Sequence, residues 1–158
     1  MWKKLKPYII SVAIALGVGC LAAFFTRNSM DIYQTINTPL LTPPSWLFPV
    51  VWTVLYTLMG IGAAMVYVKG EEKSLDTGSA LKVYAVQLAA NFLWSIVFFN
   101  LRWYLFAYIW LMLLWVLIIV MIVQFRRISK PAAYWQIPYL LWVTFASYLN
   151  LMIYILNR

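Results

Sequence analysis

Histidine is absent from this chain of 158 residues, cysteine occurs once, and only four acids are present. Those gaps exclude whole classes of chemistry before any motif is read. No disulfide can close within the chain, and metal sites built from imidazole or clustered thiolates lack their ligands. The acids, Asp31, Glu71, Glu72 and Asp76, all fall outside the long apolar segments. Paired-carboxylate catalysis and a proton relay across a membrane therefore have no residues to run on. Charge of either sign is scarce: 10% of residues are charged against 65% hydrophobic, where a soluble domain carries about a quarter charged. The chain reads as a membrane protein, in which aromatics, amides, hydroxyls and shape do the work.

The net charge of +8 would suggest nucleic acid in a soluble chain. Here the basic residues sit at the edges of apolar segments, which fits anionic lipid headgroups instead, so no nucleic-acid partner is expected. The start, Lys3-Lys4-x-Lys6 followed by an apolar run, resembles a signal peptide, and Gly19-Cys20 faintly resembles a lipoprotein cleavage site. The run is long for a signal sequence and more spans follow, so it is expected to be an uncleaved first helix.

Five segments can each cross roughly 30 Å of hydrocarbon at about 1.5 Å per residue: 8–25, 46–68, 81–101, 104–125 and 132–156. With no alternating strand pattern, and with backbone groups that must be satisfied within each segment in lipid, helices are the only choice. The expected fold is an all-α membrane protein, a single five-transmembrane-helix bundle over 1–158, with residues 26–45 long enough to fold over one end as a lid. Lys3, Lys4, Lys6, Lys69, Lys73, Lys82, Arg126, Arg127 and Lys130 collect on one side, against Arg27, Arg102 and Arg158 on the other. The positive-inside rule then puts the N-terminus in the cytoplasm and the lid and C-terminus outside. The expected setting is a bacterial cytoplasmic membrane.

The chain is organised around the stretch from Pro39 to Tyr56, a proline-punctuated loop that passes without any charged residue into an aromatic helix. Thr42 and Ser45 are N-cap residue types, and Pro43, Pro44 and Pro49 have no N–H to leave unsatisfied. Phe48, Trp52, Tyr56 and Gly60 recur every four residues, so three aromatic faces and one bare backbone position share a side. That side suits a flat ligand, and Pro44, Phe48, Trp52 and Tyr56 are candidate contacts.

The third span carries Gln87, Asn91, Trp94 and Ser95 along one face. Amides in hydrocarbon need partners, so this face points inward. It either fixes packing or, through Asn91 and Ser95, addresses a ligand's polar edge. The fifth span carries Trp135, Tyr139, Trp142, Ala146 and Asn150, with Pro138 expected to kink it. Gly60 and Ala64, and Ala85 and Ala89, are small pairs that suit internal packing or a homodimer seam. The fourth span reads as scaffold.

Four motifs in order carry a likeness: Pro39-x-x-x-Pro43-Pro44; Phe48-Pro-Val-Val-Trp52-Thr-Val-Leu-Tyr56-x-x-Met59-Gly60; Asn91-Phe-Leu-Trp94-Ser95-x-x-Phe98-Phe99; and Pro138-Tyr-Leu-Leu-Trp142-Val-x-Phe145-Ala146-x-Tyr-Leu149-Asn150. Together they closely resemble the tryptophan-rich sensory protein and translocator protein family, also called peripheral-type benzodiazepine receptors. The chain departs from the family at Leu40 and Leu41, where a tryptophan is usual, and at Leu151 and Met152, where aromatics are common. The resemblance implies a five-helix bundle, often a homodimer, that binds porphyrins such as protoporphyrin IX and benzodiazepine- or isoquinoline-type ligands beneath the first long loop. It implies a pocket of Tyr33, Trp52, Asn91, Trp94, Ser95, Trp142 and Ala146, and porphyrin photodegradation through Trp52 and Trp142. The family's sterol segment survives as Leu151-x-x-Tyr154-x-x-x-Arg158, which reads either as a sterol contact or as a helix end with an interfacial Tyr and Arg.

The reading drawn from this is a receptor for planar hydrophobic ligands in tetrapyrrole or stress homeostasis. Porphyrin is ligand rather than cofactor, and without histidine a free-base ring is the more natural one. The alternative is a transporter or channel for porphyrin or sterol, against which stand the uncharged spans and the lack of inverted repeats. An enzyme in the ordinary sense lacks its acid and base.

Overall fold

The computed structural model describes residues 2–29 and 32–158, without the side chains of Ile32 and Tyr33. Helix α1 (Trp2–Thr26) ends in a 3-10 turn (Arg27–Ser29) and is followed by the short α2 (Ile32–Thr35). The spans continue with α3 (Leu47–Lys73), α4 (Gly78–Ser95) running into a π turn (Ile96–Leu101), and α5 (Tyr104–Ile128). The last comprises α6 (Lys130–Tyr134) and α7 (Ile137–Asn157). Five helical stretches are long and apolar enough to cross a membrane, and no strand occurs among the described residues. The expected all-α five-helix architecture is what the chain forms.

Three details differ from the sequence reading. Helix α1 begins at Trp2 rather than near residue 8, taking in the lysines and Pro7. As the sixth residue of the helix, Pro7 lies just past the N–H groups that have no partner at a helix start, so it removes the bond to the carbonyl of Lys3, an exposed residue whose carbonyl water can reach. Neither Thr42 nor Ser45 caps α3: its N-cap is Trp46, with no side-chain hydrogen bond. The Thr42 hydroxyl donates to the Pro39 carbonyl at 2.7 Å, closing the loop on itself, while Pro49 removes one orphan N–H from the first turn of α3. The kink expected at Pro138 is a break. Trp135 and Gln136 form a turn with N–H groups donating to the Pro131 and Ala133 carbonyls, both at 3.0 Å, and Pro138 lies in the first turn of α7.

Inside a bilayer, apolar side chains gain little by leaving lipid for protein, so close packing and interhelical hydrogen bonds hold a bundle together. Helix α1 lies along α3, where the Ser11 hydroxyl donates to the Gly60 carbonyl at 2.7 Å. A Cβ on Gly60 would stand 2.6 Å from the Val12 Cα, so this position must be glycine for the two backbones to meet. Gly62 is bare for a related reason: a Cβ there would collide with the Gln136 amide, which donates to the Leu58 carbonyl at 3.2 Å. Gly60 and Ala64 are thus used up by packing, whereas Ala85 and Ala89 face outward. Leu111, Leu114, Ile118, Met121 and Phe125 give α5 a fully buried face between α4 and α7. Its indoles also bond outward, Trp110 to the Ala90 carbonyl at 2.8 Å and Trp115 to the Thr144 hydroxyl at 2.9 Å.

The loop before α3 is fastened to the end of α7. The Asn37 backbone N–H donates to Asn157 Oδ1 at 2.9 Å, Asn157 Nδ2 donates to the Asn37 carbonyl at 2.8 Å, and Asn37 Nδ2 reaches the Leu156 carbonyl at 3.3 Å. The Tyr148 hydroxyl donates to the Leu40 carbonyl at 2.8 Å, just before Leu41 turns the chain at a φ of 73°.

Candidate functional site

A cavity of about 120 Å³ lies between the end of α1, the start of α3, the end of α4 with its π turn, and the middle of α7. The first two of these are the segments that the loop before α3 joins. The four-residue repeat on α3 brings Phe48, Trp52 and Tyr56 to one wall. The end of α4 supplies Trp94 and Ser95, and the π turn turns Phe98 and Phe99 inward. Such π insertions recur at functional sites because they re-aim side chains that a regular helix would direct elsewhere. Helix α7 supplies Trp142, Ala146, Leu149 and Asn150. The indoles of Trp52, Trp94 and Trp142, from three separate spans, therefore share one space.

The rings pack mostly edge to face or tilted. Phe48 meets Trp142 at 5.9 Å and 70°, Trp52 meets Tyr56 at 5.7 Å and 36°, and Trp94 stacks on Phe98 at 5.2 Å. Several polar groups at the walls are engaged elsewhere. Trp94 Nε1 donates to Asn150 Oδ1 at 3.1 Å, and Asn150 Nδ2 donates to the Tyr104 carbonyl at 2.9 Å. The Thr26 hydroxyl bonds back to the Ala22 carbonyl at 2.8 Å and the Ser95 hydroxyl to the Asn91 carbonyl at 3.4 Å. The indole N–H of Trp142, by contrast, is buried without a hydrogen-bond partner among the described residues.

Of the residues singled out from the sequence, Phe48, Trp52, Tyr56, Trp94, Ser95, Trp142 and Ala146 line the cavity. Asn91 does not; it stands behind the wall in a fully buried relay. The Tyr56 hydroxyl donates to Asn91 Oδ1 at 3.2 Å, Asn91 Nδ2 donates to the Tyr139 oxygen at 2.7 Å, and the Tyr139 hydroxyl donates to Gln87 Oε1 at 2.7 Å. Its amide is spoken for at both ends, so it fixes Tyr56 rather than offering a free edge. Pro44 is outside the lining, and the side chain of Tyr33 lies outside the described residues. Arg27, next to lining residue Thr26, folds back to donate to the Phe24 carbonyl at 2.9 Å with its guanidinium 4.0 Å from the Phe24 ring centre.

Sequence reasoning missed the contribution of α1. Gly19, Ala22, Ala23 and Thr26 form the remaining wall, small residues at helical spacing opposite a bank of rings. That pattern was the available signal: Gly19 is bare because the Tyr56 ring lies against it, a Cβ there standing 2.7 Å from the ring, while the short side chains of Ala22 and Ala23 leave the space open. Chemically the site is an aromatic box with no charged residue among the described residues of its lining. It can hold an apolar molecule by stacking and dispersion. At about 120 Å³ it is smaller than the 300–1,000 Å³ of typical small-molecule sites, so a large ring enters only when a wall moves.

Comparison with known proteins follows this geometry. The model of the TspO/MBR family matches residues 11–156. The chain is 37% identical over 158 residues to the tryptophan-rich protein TspO of Chlorobaculum tepidum, covering 99% of both chains. It is 35% identical to protein CrtK of Rhodobacter capsulatus, covering 95% of this chain and 90% of that one. To the translocator protein of Bos taurus it is 33% identical, over 84% of this chain and 79% of the other.

Proposed function

The chain belongs to the TspO/MBR family of integral membrane proteins, and from that premise we propose that it is a receptor for planar hydrophobic ligands, with protoporphyrin IX the leading candidate and benzodiazepine- or isoquinoline-type molecules as synthetic ones. The observation that carries this reading is the convergence of Trp52, Trp94 and Trp142 on one cavity with no charged residue among the described residues of its lining. Each aromatic pair formed with a flat ligand contributes about 0.5–1.5 kcal/mol beyond area burial. Propionates would lie toward the loop end, where Arg27 follows Thr26 at the rim. Light and oxygen would then degrade the bound ring, with Trp52 and Trp142 beside it. The protein works as a homodimer with the N-terminus in the cytoplasm and the loop of residues 26–45 outside, the outward Ala85 and Ala89 being available for the seam.

Titrating protoporphyrin IX into the solubilised protein in the dark, followed by tryptophan quenching, tests the receptor reading: saturable one-site quenching is expected, and its absence overturns the reading. Under illumination, Trp52→Phe and Trp142→Phe are expected to keep the fold and slow loss of the porphyrin bands at least several-fold. Degradation at the parent rate in both would remove those residues from the photochemistry. The name translocator protein, carried by the Bos taurus relative, favours movement of ligand as the second reading. Flux of protoporphyrin IX into proteoliposomes decides between the two, since a receptor binds without net transfer.

A further inference from the structure

A larger space lies on the far side of Trp142. A groove of about 440 Å³ opens on the outer face between α3 and α7, where Val50, Val54, Pro138, Leu141, Trp142 and Phe145 are among its walls. Trp142 is the residue common to this groove and the inner cavity. Its indole sits between two phenyl rings, that of Phe48 at 5.9 Å, which lines the cavity, and that of Phe145 at 5.5 Å, which lines the groove. Apart from the Trp142 N–H, every lining side chain of the groove is hydrocarbon.

Two features make this partition movable. The Trp142 indole N–H is buried with no acceptor, so no hydrogen bond holds the ring where it is, and a buried unpaired donor makes the closed position less favourable than one in which a partner is found. The segment that carries it, α7, starts directly after the break at Trp135 and Gln136, so it hangs on a joint at its own beginning. That joint is steadied by the Gln136 amide on the Leu58 carbonyl at 3.2 Å, while the other Gln136 amide atom, Oε1, is buried without a partner.

We infer that the groove between α3 and α7 is a docking vestibule through which a flat apolar ligand dissolved in the bilayer reaches the inner cavity, with the Trp142 indole as the gate between them. The inference rests on the receptor reading above. It accounts for an inner cavity too small for the ligand in the closed position, since the space on the other side of the gate joins it when the ring swings. It also accounts for a membrane-facing groove with no charged or hydroxyl side chain in its lining: a ligand arriving from lipid meets only hydrocarbon until it passes the indole.

A route differs from a site in its kinetics. Obstructing a route slows binding and release alike and leaves the equilibrium constant unchanged. Leu141 and Val54 are 64% and 51% exposed, so a larger apolar side chain at either is accommodated toward lipid. The test is stopped-flow binding of protoporphyrin IX, in the dark, to the full chain in phosphatidylcholine nanodiscs. Porphyrin fluorescence is read against empty nanodiscs for the parent, Val54→Trp, Leu141→Trp and the lipid-facing control Leu113→Trp on α5. Both association and dissociation are expected to slow about tenfold in the two groove variants, within the range over which association rates vary among related complexes, with the Kd and the control unchanged. Parent-like rates in both groove variants, as expected if only lipid chains occupy the groove, overturn the vestibule and leave the receptor intact. A weakened Kd with an unchanged association rate makes the groove part of the resting site and also overturns it, as does equal slowing in the control. No saturable binding by the parent overturns the receptor reading itself, and the vestibule with it.

Discussion

The two ends of the bundle are built from the same kinds of residue and packed to opposite ends. Toward the loop before α3, Trp52, Trp94 and Trp142 surround a space that Ala22, Ala23 and Ala146 leave open. Toward the other end, Met59, Leu114, Ile118, Met121 and Phe125 are fully buried, and Gly60 and Gly62 let α1 and Gln136 close on α3. Small residues serve both ends, and what they face decides the result. Opposite backbone, an amide or a ring that it touches, as Gly19 touches Tyr56, a glycine brings elements together; the alanines opposite the other rings leave a void. The relay from Tyr56 through Asn91 and Tyr139 to Gln87 marks the boundary, with its first member on the cavity wall and its last among the packed spans.

The comparison breaks most visibly at Gly60. Gly60→Leu puts atoms where the Val12 backbone already lies, and the backbone cannot yield as a side chain can. A loss of about 3 kcal/mol is expected, read as a lower midpoint of thermal unfolding in detergent. Ala146→Leu adds comparable bulk at the open end. There it should fill space rather than displace backbone, leaving the midpoint close to that of the parent while weakening protoporphyrin IX binding about tenfold, or about 1.4 kcal/mol. A fall in stability as large as that of the Gly60 variant would show that the two ends do not differ. The smallest effect is at the boundary: Tyr139→Phe removes one hydroxyl that both accepts from Asn91 and donates to Gln87. A cost of about 1 kcal/mol is expected, in keeping with hydrogen bonds between membrane helices, again by thermal unfolding.

Much of the fold was legible because hydrocarbon imposes length and composition on anything that crosses it; four of the five spans begin and end within about five residues of where apolarity places them, and α1 starts earlier. Its early start at Trp2 was hidden because lysines at a helix end and lysines before a helix read alike. The aromatic stripes of α3 and α7 were legible because period alone puts residues on one face. Partners across spans were not. Asn91 was placed on the correct face, but nothing in one segment's pattern announces that Tyr56 and Tyr139, far along the chain, take up its amide. The wall from α1 was missed for a different reason: it works by what its side chains do not occupy.

The fastening of Asn37 to Asn157 is made wholly of carboxamide and peptide groups. Dipoles of that kind carry no counterions to be displaced and no proton to be titrated. The clasp between the loop and the end of α7 therefore holds equally in brine and fresh water, and in acid as in neutral surroundings, leaving heat as the agent that loosens it.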